Sequence, residues 1–169
     1  MYKIRKKVQI LEDKYVINNM EYIKNWENIT ENSSVYKFTR DGETVENYTS
    51  LFAYFKTGAN TKILGQGLID VIKNSINSIS QIVFAGEVRV VEVMENEIYM
   101  IEMMLTSPDH LFLEVTTQKW FLNKDSQVCY IQYATKVSAS DFSEKWMKKY
   151  YSEANILNIA RDMATIEIV

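Results

Sequence analysis

The stretch Val35 to Lys56 reads VYKFTRDGETVENYTSLFAYFK, two apolar runs joined by the polar connector GETVEN. Within the connector, Gly42 can take a positive φ and Asn47 tolerates one, as a change of chain direction requires. The strand period of two puts Tyr36 and Phe38 on one face of the first run. It likewise puts Leu51, Ala53 and Phe55 on one face of the second. The stretch therefore predicts a β-hairpin.

Four further strands are predicted after residue 80. They are QIVFAGEVRVVEV (81–93), EIYMIEMMLTS (97–107), HLFLEVTTQKWFLN (110–123) and QVCYIQYATKV (127–137). The connections between them have only a few residues, too short for the crossover that parallel neighbours need. We therefore expect an antiparallel sheet.

Helical spacing of apolar residues appears in two places. The first stripe follows Thr61, a suitable N-cap, and continues at spacings of three and four to about residue 79. The second covers residues 141–166 behind Ser138 or Ser140 as the N-cap, with a break expected near Ser152–Asn155. We expect both helices to pack on the sheet, which gives an α+β fold.

The first 34 residues are predicted to hold an N-terminal strand region and a short helix. The apolar alternation before and after Glu12–Asp13 indicates either a short strand pair that turns there or an extended entry into the fold. The helix covers residues 18–29, in which Tyr22, Trp26 and Ile29 are spaced by four and three.

Length and composition limit both the domain count and the partners. A chain of 169 residues with 47% hydrophobic residues supports one core, so residues 1–169 are predicted to form a single domain. The formal charge of −3, with both signs interleaved, gives no field suited to a polyanion. Nucleic acid is therefore not expected as a partner.

Targeting signals are weak. No segment approaches the roughly 20 apolar residues that span a bilayer. The N-terminal stretch lacks the apolar region of a signal peptide. The protein is expected in the cytoplasm if the chain is complete, and in the periplasm or outside the cell if a leader has been removed.

The order of hairpin, helix, four-stranded meander and C-terminal helix resembles the PsbP-like fold. This fold is shared by the photosystem II extrinsic subunit, the Ran-binding Mog protein and bacterial DcrB-like proteins. In addition, GETVENYTSL resembles the GE-x-VENWTE stretch of small bacterial proteins of unassigned function, most of them exported. Tyr48 stands where that group usually has Trp, and Ser50 replaces an acid. The matching residues are Gly42, Glu43, Val45, Glu46, Asn47, Tyr48 and Thr49.

The resemblance implies an α/β/α sandwich that binds partners without catalysis. PsbP-like proteins are assembly subunits, the Mog protein binds a GTPase, and DcrB-like relatives include chaperones for apolar helices. Such a family offers no catalytic residue and no cofactor to carry over to this chain.

Four residues bear groups that catalyse reactions in other proteins. Glu43 and Glu46 are three residues apart and could pair as carboxylates, but a solvated connector is where Glu is common anyway. His110 is the only histidine and has no obvious partner for a triad or a metal site. Cys129 lies in an apolar strand, so we expect an inert core thiol. We predict no enzyme and no metal site.

Binding is the predicted function, and two hypotheses describe it. The first is a non-enzymatic accessory protein that acts on a protein partner through a sheet face or groove. The second is a carrier of a small apolar ligand, because methionines adapt to irregular apolar surfaces. The candidate binding residues are Glu43, Glu46, Asn47 and Tyr48 in the connector and Met100, Met103 and Met104 in the sheet.

Overall fold

The computed structural model describes residues 12–60, 89–94, 97–106 and 111–166. Within these ranges, strands form one sheet in the order β1-β2-β3-β4-β8-β7-β6-β5, and all neighbours are antiparallel. The strands are β1 (Lys14–Ile17), β2 (Met20–Ile29), β3 (Ser34–Thr39), β4 (Ser50–Asn60), β5 (Arg89–Met94), β6 (Glu97–Thr106), β7 (Phe112–Leu122) and β8 (Gln127–Ser138). The helices are α1 (Glu144–Tyr150) and α2 (Glu153–Ala164). The α+β class and the antiparallel sheet are confirmed.

The predicted hairpin is the β3–β4 pair. Phe38 pairs with Phe52 and Tyr36 with Tyr54, so these four aromatic residues share a face, while Phe55 lies on the opposite face. Phe38 and Phe52 are fully buried, with ring centroids 5.4 Å apart. On its other side β4 pairs with β8, which joins the hairpin to the meander β5–β8. The helix predicted after Thr61 and the beginning of the strand predicted at 81–93 lie outside the described residues.

The N-terminal region differs from the prediction after residue 17. The chain makes a hairpin turn at Asn18–Asn19 that was not predicted. The turn predicted at Glu12–Asp13 stays a prediction, because its first arm lies outside the described residues. Both asparagines have positive φ (52° and 61°), the requirement of a two-residue type I′ hairpin turn, which Asn tolerates better than most residues. Residues 20–29 then form strand β2 rather than a helix. Three residues at helical spacing were weak evidence, because this turn pairs Tyr22 with Tyr15 and buries Tyr22 in the sheet.

Helix α2 covers one face of the sheet. Ile159 and Met163 from this helix are buried against Phe38, Phe52 and other residues of the same face. The helix contacts β1 near one edge of the sheet and also β6 and β7 near the other. A single helix can reach both sides only if the sheet curls around it.

The C-terminal helix is two helices, with caps other than those predicted. The Ser143 hydroxyl accepts from the Trp146 N–H and starts α1, and the Ser152 hydroxyl accepts from the Asn155 N–H and starts α2. Ser138 instead donates to the Asp141 carboxylate over 2.6 Å and so belongs to the preceding turn. The break expected near Ser152 is confirmed, because a serine there offers the second N-cap.

Candidate functional site

The β3–β4 connector begins with a tight turn at Gly42. The Glu43 N–H donates to the Arg40 carbonyl over 3.0 Å, and Gly42 has a φ of +78°. A positive φ at the third residue of a four-residue turn belongs to type II, which favours glycine there. Asn47 has no positive φ. It closes the connector through its backbone, accepting from the Thr44 N–H and donating to the Thr44 hydroxyl.

Glu43 holds the two ends of the connector together. Its Oε1 accepts from the N–H of Thr49 at 3.2 Å and from the hydroxyl of Thr49 at 2.6 Å. Its backbone carbonyl accepts from the Thr39 hydroxyl and from the side-chain amide of Asn25, which occupies a β-bulge in β2. Its Oε2 is buried and accepts no hydrogen bond from any described group. Glu43 therefore has a structural role: its hydrogen bonds hold the connector in shape.

Tyr48 directly follows the connector and belongs to a polar cluster on the sheet. Its hydroxyl donates to Glu114, and the Lys136 ammonium lies 3.9 Å from the centre of the Tyr48 ring. Lys136 also donates to the Glu46 carbonyl over 3.2 Å. Burial raises the pKa of Glu114, while the Tyr48 hydrogen bond and the Lys136 charge act to lower it. We call Tyr48, Glu114 and Lys136 the Tyr48 cluster.

The predicted connector residues do not converge on an open site. Glu46 and Asn47 are exposed, and the contact that Glu46 makes with Lys136 is through its backbone carbonyl. Neither cavity described below is lined by Glu43, Glu46, Asn47 or Tyr48. The structure thus brings the four residues together in one loop and its continuation, without aiming them into a pocket.

The methionines predicted as a second binding element lie on another part of the sheet. Met103 pairs with Thr116 and Met104 with Val115, and Met100 lies at an irregularity between β6 and β7. Two strands, β7 and β8, separate β6 from the hairpin strand β4. The connector and the methionine strand are therefore separate features, and the methionine side chains are outside the described part of the structure.

Of the two remaining residues with reactive side chains, Cys129 is described by the structure and His110 is not. Cys129 is fully buried and receives a hydrogen bond from the Tyr54 hydroxyl at 3.4 Å. Burial raises the pKa of the Cys129 thiol, which disfavours the reactive thiolate. The buried position expected of this cysteine is confirmed. His110 lies outside the described residues.

A cavity of about 380 Å³ opens at the end of the sheet where α1 packs, and we call it the α1 pocket. Its volume falls within the range of roughly 300–1,000 Å³ typical of small-molecule sites. Four segments meet there: the β1–β2 turn, the ends of the connector, strand β8 and helix α1. The lining residues are Asn18, Met20, Arg40, Thr49, Ser50, Tyr133, Thr135, Lys136, Val137, Trp146, Lys149 and Tyr150.

A chain of hydroxyls forms one wall of the α1 pocket. The Tyr22 hydroxyl donates to the Tyr133 hydroxyl over 3.0 Å and lies 2.7 Å from Ser50 Oγ. Since Tyr22 has one proton and gives it to Tyr133, Ser50 must be the donor to Tyr22. The Tyr133 proton then has no acceptor among the described residues. A pocket-lining hydroxyl is left ready to donate to a ligand.

Three cations line the same pocket, and one of them, Lys136, already has its ammonium on the Tyr48 ring and the Glu46 carbonyl. The other two are Arg40 and Lys149. Arg40 makes one hydrogen bond, to Thr49 Oγ1 at 3.4 Å, and Lys149 lies 4.9 Å from the ring of Tyr150. Neither has a carboxylate within ion-pair distance in the described part of the chain. Burial raises the pKa of Tyr22, and the positive charge of Arg40 acts in the opposite direction, which places Arg40 near the hydroxyl chain.

Helix α1 supplies an aromatic wall. The rings of Trp146 and Tyr150 are 4.9 Å apart and tilted by 43°. Trp146 also packs on the buried residues Leu113 and Val115, which fixes the helix to the sheet. Residues 146 and 150 are one helical turn apart, and both line the pocket because i and i+4 share a face.

A second cavity, of about 370 Å³, lies between strand β1 and the end of α2. The charged residues that line it include Lys14 and Glu21, which neutralise each other through a salt bridge of 3.1 Å. Because its one lining cation is already paired, this cavity offers less to an anionic ligand than the α1 pocket.

Sequence reasoning missed the residues of the α1 pocket. Arg40 lies two residues before the connector GETVEN, and Tyr133 lies in a strand chosen only for its apolar alternation. One signal is present in the sequence: Lys149 and Tyr150 are adjacent on the predicted C-terminal helix, where lysines most often form a solvated face. What brings these residues together is the pairing of β4 with β8, which the sequence pattern does not contain.

No protein-family model matches this chain. No curated protein and no solved structure matches it either.

The described residues meet neither the requirements of a metal site nor those of a membrane-spanning helix. Among them no group of three or more His, Cys, Asp or Glu side chains is placed to hold a metal ion. No helix in the described ranges has the length and apolar content needed to cross a membrane.

Proposed function

We propose that the protein is a non-enzymatic binding protein and that the α1 pocket is its ligand site. The observation that carries the proposal is a pocket of about 380 Å³ whose three lining cations, Arg40, Lys136 and Lys149, form no ion pair with a carboxylate in the described chain. Cations with free donors are binding groups, and a pocket bordered by them gains from a ligand that completes their pairing.

The lining favours binding over catalysis. No carboxylate, histidine or cysteine is among the residues that line the α1 pocket. Ser50 is the lining residue whose side chain could most readily act as a nucleophile, and it is hydrogen-bonded to Tyr22. Burial raises the pKa of Tyr22 well above its ordinary value. A neutral phenol is a poor general base, so this serine has no activating partner there.

The ligand we propose is small and amphipathic rather than wholly apolar. Trp146, Tyr150 and Val137 provide apolar surface, while Arg40 and Lys149 provide charge. This modifies the hypothesis of an apolar carrier, since a wholly apolar ligand would leave both cations desolvated and unpaired.

The test is a fragment screen followed by ¹H–¹⁵N NMR on the labelled protein. We expect binders to shift the amide signals of Thr49, Ser50, Thr135 and Lys149, which lie on three different segments around the cavity. If no fragment shifts these signals together, or if binders act only elsewhere, the proposal is wrong.

A protein partner is a second candidate, and a different surface favours it. Val16, Ile23 and Trp26 are 62%, 39% and 37% exposed. Strand alternation and the β-bulge put all three on the face of the sheet opposite α2. Three exposed apolar residues on neighbouring strands can serve as the centre of a contact with an apolar patch of another protein.

Site-specific photocrosslinking in the producing cells tests this second candidate. A crosslinker at position 23 or 26 is expected to trap the same protein, and a crosslinker at the exposed position 125 is the control. A crosslinked species shared by all three positions, or none at positions 23 and 26, would argue against a partner at this surface.

We also propose that the fold is a PsbP-like or DcrB-like sandwich. The hairpin, the meander and the C-terminal helices follow in the order that this fold requires, which supports the proposal. An experimental structure with helices on both faces of the sheet would establish it, and one with helices only on the α2 face would exclude it.

A further inference from the structure

We propose that the ligand of the α1 pocket is a small monocarboxylate with an aromatic or aliphatic body. This inference rests on the proposed function and specifies its ligand class. Arg40 and the Tyr133 hydroxyl would hold the carboxylate, Lys149 would add charge at the rim, and the apolar body would lie against Trp146 and Tyr150.

Arg40 is suited to the carboxylate. Its guanidinium is half-buried and makes one hydrogen bond, of 3.4 Å, to Thr49. A guanidinium has five N–H donors in a planar fork that matches the two oxygens of a carboxylate. Four of the five donors have no acceptor among the described residues, so the fork is available to a ligand.

The nearest acid does not neutralise Arg40. The Thr49 hydroxyl lies between them, donating to Glu43 Oε1 at 2.6 Å and accepting from Arg40. Glu43 and Arg40 form no ion pair, and Glu43 does not line the pocket. The charge of Arg40 therefore remains directed to the cavity.

The hydroxyl chain supplies a neutral donor next to this cation. Ser50, Tyr22 and Tyr133 are all buried, and their hydrogen bonds fix the Tyr133 hydroxyl so that its proton is the one left over. A hydrogen bond to a charged carboxylate is stronger than the same bond to a neutral acceptor, whether the donor is a fixed hydroxyl or a cation. A carboxamide of the same shape would satisfy these donors less well.

The same surroundings favour a single negative charge over a phosphate. Lys149 and Tyr150 lie at the C-terminal end of α1, where the backbone carbonyls carry partial negative charge. The carboxylate of Glu43 is one hydroxyl away from Arg40. The third lining cation, Lys136, has its ammonium on the Tyr48 ring and the Glu46 carbonyl. Arg40 and Lys149, with these negative neighbours, can balance one charge on a ligand, and a second charge would lack a partner.

The experiment compares matched acids and amides. Isothermal titration and ¹H–¹⁵N NMR would be run with 4-phenylbutyrate and indole-3-acetate, with the primary amide of each, and with inorganic phosphate. We expect both acids to shift the amide signals of Thr49, Ser50 and Lys149 and to bind about tenfold or more tightly than their amides, the size of one charge-assisted hydrogen bond. Phosphate is expected to bind at least tenfold more weakly than the acids.

Two single-residue variants test whether Arg40 is the residue that binds the carboxylate. Arg40→Gln is expected to weaken acid binding about tenfold or more and to leave amide binding within twofold, because only the charged contact is lost. Lys148→Gln is the matched control: it also removes one positive charge, but Lys148 pairs with Glu144 at 2.6 Å and does not line the pocket. Unfolding curves of both variants show whether each is folded at the temperature of the titration.

The outcomes separate the two proposals. If acids and amides bind equally at these amide signals and Arg40→Gln has no effect, the carboxylate inference is wrong while the pocket remains a ligand site. If neither acids nor amides bind there, both proposals fail. If phosphate binds more tightly than the acids, the ligand class is wrong.

Discussion

The Tyr48 cluster and the α1 pocket lie on opposite faces of the same sheet, and strand β8 supplies both. Lys136 lines the pocket together with its neighbours Thr135 and Val137, but its ammonium binds within the cluster, on the Tyr48 ring and the Glu46 carbonyl. In the cluster every charge has a partner: a phenol for Glu114, and an aromatic ring and a carbonyl for Lys136. In the pocket, Lys149 has only the Tyr150 ring at 4.9 Å and Arg40 only one hydrogen bond, of 3.4 Å to Thr49, among the described residues.

This difference distinguishes polar groups that stabilise the fold from polar groups that are available to bind a ligand. A buried polar group that is satisfied within the protein contributes to stability, and its loss leaves an unpaired group behind. A polar group without a partner at a cavity is available to a ligand. We therefore expect changes in the Tyr48 cluster to alter stability and changes in the α1 pocket to alter binding.

The largest effect is expected from Tyr48→Phe. The change removes the hydroxyl that donates to Glu114 and keeps the ring under Lys136. Leaving the half-buried carboxylate without this donor should lower the free energy of unfolding by about 1–3 kcal/mol. Urea unfolding measures the loss, and the affinity of the α1 pocket for its ligand should stay within twofold.

The same substitution in a Glu114→Gln background is the control. Without a charge to stabilise, Tyr48→Phe should cost less than about 1 kcal/mol, the value of a neutral hydrogen bond. Equal losses in both backgrounds would show that the Glu114 charge does not matter to the cluster.

The pH dependence of stability should differ between the wild type and Glu114→Gln. Burial raises the pKa of Glu114 above its ordinary value of 4.5, so above pH 4.5 the folded protein keeps a proton that the unfolded chain has released. The contribution of Glu114 to stability is therefore fully present below pH 4.5 and is lost as pH rises through the folded pKa. The slope reaches at most about 1.4 kcal/mol per pH unit.

Urea unfolding at a series of pH values checks this, with the stability of Glu114→Gln subtracted from that of the wild type. The difference should decrease with rising pH and then become constant. A difference that increases with pH would mean that Lys136 and Tyr48 outweigh burial at this carboxyl. The same subtraction with Arg40→Gln should give a line without slope in this range, because arginine does not titrate there.

The connector turn offers a smaller test. Gly42 has a φ of +78°, and no atom lies within 4 Å of the position that a Cβ would take. Gly42→Ala should therefore cost about 1–2 kcal/mol through backbone strain alone, without a clash. The matched control is Gly58→Ala in β4: its φ is not in the left-handed region, and its Cβ would meet Asn32 at an ordinary 3.5 Å. We expect thermal unfolding to show a loss for the first and none for the second.

The sheet could be predicted from the sequence because its signals are local. The alternation in β3, β4 and β8 and the short connections of the meander specify strands and antiparallel neighbours. The turn at Asn18–Asn19 was missed although Asn-Asn is a local signal, because the wrong helix was assigned to the residues that follow it.

The α1 pocket could not be predicted in this way. Its residues come from segments about 90 positions apart, such as Arg40 and Tyr133, and they meet only because β4 pairs with β8. The separate caps of α1 and α2 then place Trp146 and Lys149 beside them. The connector motif attracted attention as a compact group of polar residues, but its polar groups are used within the loop and by the Tyr48 cluster.

The smallest expected effect concerns Asn47, which the sequence marked as a residue that shapes the connector. Its side chain is exposed and makes no hydrogen bond with the described residues, while its backbone bonds Thr44 whatever the side chain is. Asn47→Ala should therefore change the free energy of unfolding by less than about 0.5 kcal/mol. Asn25→Ala is the matched control, because the Asn25 amide donates to Thr39 and to the Glu43 carbonyl, and its loss should cost about 1 kcal/mol. Equal losses for the two variants would place Asn47 among the residues that hold the connector and would extend the closed, structural region to the whole of GETVEN.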